Sequence, residues 1–252
     1  MNIKWDAEKY TLDFSFIPQY GNDVIELIDT DDASSVLDLG CGNGSLTKTL
    51  HDKGFSVKGI DASGELLDIA RKNHPDIEFI QADATDFALR KPVDAVFSNA
   101  VFHWIDKEKQ SSMLECVYRA LKANGQFVFE FGGYGNNRLI HLQLEKVFSE
   151  YGYQYKMPFY FPTIGEYSVL LEQAGFEVKY AILFDRPTKL VGEHGLKDWI
   201  HMFVKTPFLD VDDSVREAMI DKAVERLQND LYKDGTWYSD YVRIRMKAVK
   251  GC

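Results

Sequence analysis

Five short apolar runs, separated by turns and amphipathic segments, occupy residues 35 to 133 of this chain, and that rhythm limits its fold more than any other feature. The runs are "SVLDL", "FSVKGID", "IEFIQAD", "VDAVFSNA" and "GQFVFEFGG". Between them, "GSLTKTLHDKG", "SGELLDIARKNHP" and "KEKQSSMLECVYRALKANG" carry apolar residues at helical spacing. Leu66, Leu67, Ile69 and Ala70 mark one buried helix side; Met113, Leu114, Val117, Tyr118 and Leu121 mark another. Apolar strands that alternate with helices imply a mainly parallel sheet covered on both faces.

After Gly135 the rhythm changes. "EYSVLLEQAGFEVKYAILF" reads as a helix closed near Gly175 and then a strand, and residues 186 to 235 read as mostly helical. In "DYVRIRMKAVK", Val242, Ile244, Met246 and Ala248 alternate with Arg243, Arg245 and Lys247. That pattern predicts a strand with one buried and one solvated face.

A glycine turn follows the first strand. In "SSVLDLGCGNGSLTKTL", Gly40, Gly42 and Gly44 fall where strand gives way to helix. Glycine there permits positive φ and leaves no Cβ in the way of a ligand, and a helix N-terminus offers free N–H groups. Dinucleotide sites use a similar turn, so this feature alone does not choose the ligand. Asp61 ends the second strand, where a carboxylate accepts hydrogen bonds from a ribose diol. Asp83 and Ala84 follow the third, an acceptor for an adenine amino group beside a residue small enough to admit the ring. Asn99 follows the fourth, with aromatic residues after it. Singly, Asp38 or Asp83 reads as a turn-capping residue, and Phe102 and Trp104 read as core. Ligands of open α/β sheets gather outside the carboxyl ends of the strands, and four successive strand ends here suit one nucleoside.

The motifs "VLDLGCGNG", "GIDAS", "QADATDF" and "DAVFSNAVFHWI" together resemble those of the class I S-adenosylmethionine-dependent methyltransferases, in the same order and spacing. Within that superfamily the chain is most similar to the trans-aconitate methyltransferase group, with juvenile hormone acid and malonyl-carrier-protein methyltransferases nearby. "WDAEKY", "SNAVFHW", "LLEQAGFEV" and "LKDWIHMF" carry the closer likeness, with Ala7 where a proline is common. The resemblance is strong to residue 131 and diffuse beyond it.

The resemblance implies a Rossmann-like α/β fold with a seven-stranded, mostly parallel sheet, the last strand antiparallel, and a helical cap insertion. One methyltransferase domain would span 1–252. It would comprise an N-terminal helical segment over the cofactor at 1–30, a cofactor-binding core at 31–135, substrate cap insertions at 136–164 and 186–236, and closing elements at 165–185 and 237–252. The implied cofactor is S-adenosyl-L-methionine, with S-adenosyl-L-homocysteine as product. Gly40, Cys41 and Gly42 would line its methionine portion, with Asp38 ordering the loop. Asp61 would hold the ribose, Ala62 and Leu66 would lie against the adenosine, and Asp83 and Ala84 would meet adenine. Asn99, Ala100 and Tyr10 would border the methionine end, and His103 and Trp104 would face the methyl group or the acceptor.

Methyl transfer from a sulfonium requires alignment and exclusion of water. A carboxylate acceptor is ionised at neutral pH and needs no base, whereas amine, phenol or carbon acceptors usually do. His103 is the candidate base, with a pocket-shaping histidine as the plainer reading. Arg138, Arg186 and Tyr160 are candidate donors to an acceptor carboxylate. The expected reaction is methyl esterification of a small carboxylic acid. Transfer to N, O or C of another metabolite is the alternative, followed by a non-catalytic S-adenosylmethionine-binding protein. A nicotinamide dehydrogenase fits less well, because "GCGNGS" departs from the dinucleotide spacing and leaves Asp83 without a role.

Other partners are narrowed by composition. A net charge of −10 disfavours nucleic acid. Three scattered cysteines form no disulfide or zinc pattern and fit a reducing compartment. No apolar stretch approaches the ~20 residues of a membrane span, and the first residues lack a secretory pattern. His194, Asp198 and His201 lack the ligand set for a metal. The expectation is a cytoplasmic monomer or weak dimer with no metal.

Overall fold

In a computed structural model of the chain, residues 16–31 and 33–251 are described, with side chains from residue 20 onward. Tyr10 therefore lies outside the described residues. Strands β1 (Ser35–Leu39), β2 (Ser56–Asp61), β3 (Glu78–Gln81), β4 (Val93–Asn99) and β5 (Leu121–Gly132) are the five apolar runs. Strands β6 (Phe176–Lys189) and β8 (Thr236–Lys250) close the sheet, and the two-residue β7 (Tyr232–Lys233) pairs with β8. The spatial order is β3-β2-β1-β4-β5-β8-β6. All neighbours from β3 to β5 run parallel, while β8 is antiparallel to both β5 and β6. The expected seven-stranded mixed sheet is present, extended by β7. Because β1 has β2 on one side and β4 on the other, chain direction around the sheet reverses there. Crevices form at such switch points.

Helices α1 (Phe16–Ile25) and α2 (Ser45–Asp52) cover one face. Val24, Ile25 and Leu50 meet Val36, Phe97 and Val128 there. On the other face, α4 (Gln110–Ala120) and α6 (Ile164–Gln173) pack on Phe127, Phe129, Phe131, Ile244 and Met246. Helix α3 (Gly64–Asn73) sits against β2 and β3 through Leu67, Ala70 and Phe79. Its start is set by Ser63, whose Oγ accepts the Leu66 N–H at 3.2 Å, a side-chain N-cap.

A second core lies beyond the sheet. Helices α5 (Arg138–Glu150), α7 (Gly195–Phe203) and α8 (Asp213–Leu231) bury Leu144, Phe148, Trp199, Met219 and Leu227 around Trp237 and Tyr241 of β8. Trp104, just past β4, packs against this cluster and joins the two cores. No helix among the described residues is long and apolar enough to cross a membrane.

Two expectations change. Residues 186–189 are strand rather than helix: Arg186 to Lys189 pair with Tyr241 to Tyr238. Pro187 reads as a breaker, but β6 is a sheet edge, where proline is tolerated. The helical insertion therefore starts after Lys189. The supposedly solvated face of β8 is also largely covered. Arg243 is buried, and the side chains of Arg245 and Lys247 are only 13% exposed. The cause is Glu130, opposite Arg245 on β5 and itself buried. Its carboxylate takes two bonds from Arg186 and one from Arg245 Nε at 2.8 Å. An acidic residue inside an apolar strand calls cations onto its neighbours, because a buried charge is tolerated only when paired.

Candidate active site

The glycine turn is built by hydrogen bonds to the next strand. Gly40 and Cys41 both donate to the Ile60 carbonyl, at 2.7 and 3.0 Å. Gly42 N–H donates to Asp61 Oδ2 at 2.9 Å, and Ser63 N–H to Asp61 Oδ1 at 2.8 Å. Asp61 thus ties the β1 turn to the start of α3. A carboxylate has about four acceptor positions, so the Gly42, Ser63 and Ala62 N–H groups leave acceptor capacity for a ligand. Burial pushes the Asp61 pKa up against these N–H bonds.

The glycines divide by purpose. Gly40 has φ +78°, and a Cβ there would lie 2.2 Å from Val101 Cγ2, so this glycine is required by packing. Gly42 has φ +54°, and a Cβ there would meet nothing within 4 Å among the described residues. Space for an approaching ligand therefore opens at Gly42. Cys41 turns its sulfur into the core, where it would press on any side chain at Gly59. Burial, then the charges of Asp38 and Asp61, push its thiol pKa far up. What Cys41 offers a ligand is its backbone. Beneath the turn, Asp38 is buried and accepts a 2.7 Å bond from Thr47 Oγ1. Burial above all raises its pKa to about 7, against the Thr47 bond and with help from Asp61.

The other strand ends converge on the same edge. Ala62 follows Asp61, and Leu66 is buried one helical turn on. Asp83 is exposed; its Oδ1 accepts from both the N–H and the hydroxyl of Thr85 at 2.8 Å, forming a local turn. Burial raises its pKa, but the Thr85 bonds outweigh that and hold it below the ordinary value. Ala84 is half-buried beside it. Past β4, Asn99 is half-buried, and Ala100 adopts φ +61° with its N–H donating to the Glu130 carbonyl at 2.7 Å. Left-handed backbone at a non-glycine residue is uncommon and collects at functional turns.

This turn leads into a narrow aromatic cavity of about 30 Å³. Ala100, His103 and Trp104 form its sheet side, Phe159 and Phe161 another wall, and Trp199, Phe203 and Tyr241 its far side. Its polar groups are Asn136, Asn137 and Arg243. The Arg243 guanidinium lies over the Tyr241 ring, 4.2 Å from the centroid. His103 is 8% exposed, and its Nδ1 accepts the Gly132 N–H at 3.3 Å. The proton of the neutral ring therefore sits on Nε2. Burial, then the Arg243 charge, push its pKa well down. His103 is therefore held neutral, with its Nδ1 lone pair engaged by the Gly132 N–H.

The remaining candidates lie elsewhere. Arg186 is committed to Glu130 and stands over the Tyr20 ring at 4.6 Å. Arg138 is exposed and borders a neighbouring cavity. Tyr160 is half-buried, with Lys107 5.8 Å over its ring, and burial raises its pKa to about 12. His194, Asp198 and His201 border a surface depression, where His201 lies 3.4 Å from Glu217. Sequence reasoning missed Arg243 and Asn136. The lone acid in "FVFEF" was the available signal that the facing arginines are buried.

Residues 36–125 match the family described as "Methyltransferase domain". An uncharacterized methyltransferase of Schizosaccharomyces pombe is 30% identical over 259 residues, covering 98% of each chain. Trans-aconitate 2-methyltransferase of Rhizobium etli is 24% identical over 263 residues, 99% of this chain and 100% of its own. Among solved structures, an S-adenosylmethionine-dependent methyltransferase from Mesorhizobium loti shares the fold with a TM-score of 0.55 at 18% identity, over 91% of this chain and 96% of its own. Likeness at 30% identity over almost the full length of a methyltransferase leaves one conclusion: the chain belongs to the class I S-adenosylmethionine-dependent methyltransferases.

Proposed function

We propose that this methyltransferase esterifies a small carboxylic acid bound in the aromatic cavity. The observation that carries the reading is Arg243, a buried cation on the wall of a chamber that opens from the Ala100–His103 turn. A guanidinium recognises a carboxylate with paired, charge-assisted hydrogen bonds. Two relatives support the same class by name: the trans-aconitate 2-methyltransferase above, and malonyl-[acyl-carrier protein] O-methyltransferase of Halalkalibacterium halodurans, 34% identical over 113 residues, 41% of each chain.

The donor fits the residues at the strand ends. S-adenosylmethionine supplies an electrophilic methyl group on a sulfonium. Asp61, tied to the turn by the Gly42 and Ser63 N–H groups, takes the ribose diol through its remaining acceptor capacity. The open space at Gly42 admits the methionine portion beside the backbone of Gly40 and Cys41, with Asp38 holding the turn from beneath. Ala62 and Leu66 flank the adenosine, Asp83 and Ala84 meet adenine, and Asn99 and Ala100 border the methionine end, with Tyr10 contributed from the N-terminal segment. Trp104 shapes the acceptor side.

The chain's part in the chemistry is positioning. Arg243 holds the acid, and His103 Nε2–H donates to one of its oxygens, leaving the other for attack. A carboxylate needs no proton removed, in keeping with a histidine whose Nδ1 is already used by Gly132. The aromatic walls exclude water, which strengthens these interactions. The helical segments 136–164 and 190–235 serve as the cap over the acceptor. The reaction belongs in the cytoplasm, where buried Cys41 and Cys116 remain thiols.

Incubation with methyl-labelled donor and a panel of carboxylic acids tests the reading. Label released as methanol by mild base marks an ester. Arg243→Met should lower kcat/KM for the acid roughly 10- to 100-fold, the cost of a lost charge-assisted bond, without changing affinity for S-adenosylhomocysteine. Base-stable label would refute esterification.

A further inference from the structure

A second cavity of about 430 Å³ lies against the first and shares three of its walls, Asn136, Phe159 and Phe161. Phe159 and Phe161 stack 5.3 Å apart, forming the partition. The second cavity is much the larger of the two. Its remaining lining mixes apolar groups, Leu142 and Met157, with His141, Tyr155, Arg138 and Glu145. Such a lining suits a mostly apolar molecule that carries a few fixed polar groups.

His141 is the unexplained group on that wall. It is 4% exposed on the inner face of α5, and its Nδ1 lies 2.7 Å from the Tyr155 hydroxyl. Its Nε2 is buried with no protein partner. A polar atom left so costs about as much as a lost hydrogen bond, and each such case in a native fold calls for a reason. Burial pushes the His141 pKa down to about 3 and raises that of Tyr155, so both are neutral in the working range. A phenol is the better donor of the two. Tyr155 O–H therefore donates to Nδ1, and Nε2 carries the hydrogen. Asn136, on the shared wall, is oriented too: its Oδ1 accepts the Val242 N–H at 2.9 Å, so its amide NH2 is the free end. Donors thus occur at three stations, Arg243 in the first cavity, Asn136 at the junction and His141 in the second.

We infer that the two cavities are one elongated acceptor site, and that the substrate is an extended acid whose far end carries a hydrogen-bond acceptor read by His141. The inference rests on the proposed carboxylate chemistry. Arg243 takes the carboxylate that is methylated; the apolar middle passes Phe159 and Phe161; His141, held by Tyr155, selects for oxygen at the distal end. His141 contacts the substrate away from the reacting atoms and moves no proton.

The probes are straight-chain monocarboxylic acids of four to ten carbons, each compared with its ω-hydroxy and α,ω-dicarboxylic counterparts. Label transfer from S-adenosylmethionine is measured for the wild type, His141→Leu, His141→Gln and Tyr155→Phe, with S-adenosylhomocysteine affinity as the check on folding. At the best chain length the wild type should prefer the oxygenated acid by about tenfold or more, chiefly through KM, the worth of one good hydrogen bond. His141→Leu should abolish that preference, so that within the variant the oxygenated and plain acids have equal KM, and His141→Gln, which retains a donor, should restore part of it. Equal wild-type KM for plain and oxygenated acids at every length, or a preference that survives His141→Leu, overturns the inference and leaves the carboxylate reading intact. Failure to methylate any acid overturns both.

Discussion

Replacing Asp38 by asparagine should make the protein more stable at neutral pH and remove part of its pH dependence. Asp38 is 2% exposed and has one short bond, from Thr47. Its pKa rises from the ordinary 3.8 to about 7, mainly through burial. A carboxyl raised in this way holds its proton in the folded state while the unfolded chain has released it. Its contribution to stability is therefore intact below pH 4 and is lost as pH rises toward 7. At 1.36 kcal/mol per pH unit the full loss is at most about 4 kcal/mol. Asparagine keeps an oxygen for Thr47 and carries no charge. The difference in unfolding free energy between Asp38→Asn and the wild type should therefore grow by about 2–4 kcal/mol from pH 4.5 to 7.5. Urea unfolding at four pH values measures it, and taking the difference cancels the other titrating groups. Parallel curves over that range would show that Asp38 titrates normally in the folded protein and that the turn is not built over a buried carboxyl.

Two further outcomes follow from buried polar groups. Glu130→Gln leaves Arg186 and Arg245 with no anion between them, and urea unfolding should show a loss of about 3–5 kcal/mol; a change below about 1 kcal/mol would mean the triad is solvated. Because His103 is neutral throughout the working range, the pH profile of kcat for His103→Gln should superimpose on the wild type after scaling. A limb present only in the wild type would show that His103 titrates during turnover.

The sheet, and the gathering of its strand ends along one edge, were legible in the sequence because both depend on local pattern. Strand runs such as "SVLDL" are short, apolar and bounded by turn residues, and Gly40, Asp61, Asp83 and Asn99 follow them immediately, so strand order alone brings these residues to one edge. The acceptor side was harder to read. Arg243 looks like one of several solvated residues on an alternating strand, and only pairing of β8 with β5 and β6 reveals that this face is covered. Nothing near His103 in the sequence marks the Gly132 N–H, 29 residues on, that occupies its Nδ1. Pro187 stops most strands but not one at a sheet edge. Each of these depends on contacts distant in sequence, which periodicity does not record.

Calorimetric titration of S-adenosylhomocysteine and of NAD into the wild type and Asp61→Ala tests most directly whether the glycine turn and Asp61 hold the methyl donor. S-adenosylhomocysteine should bind the wild type, with affinity falling roughly 10- to 100-fold in the variant as charged hydrogen bonds to the ribose are lost, and NAD should give no binding heat. Unchanged affinity in Asp61→Ala, or binding of NAD in place of S-adenosylhomocysteine, would contradict the account.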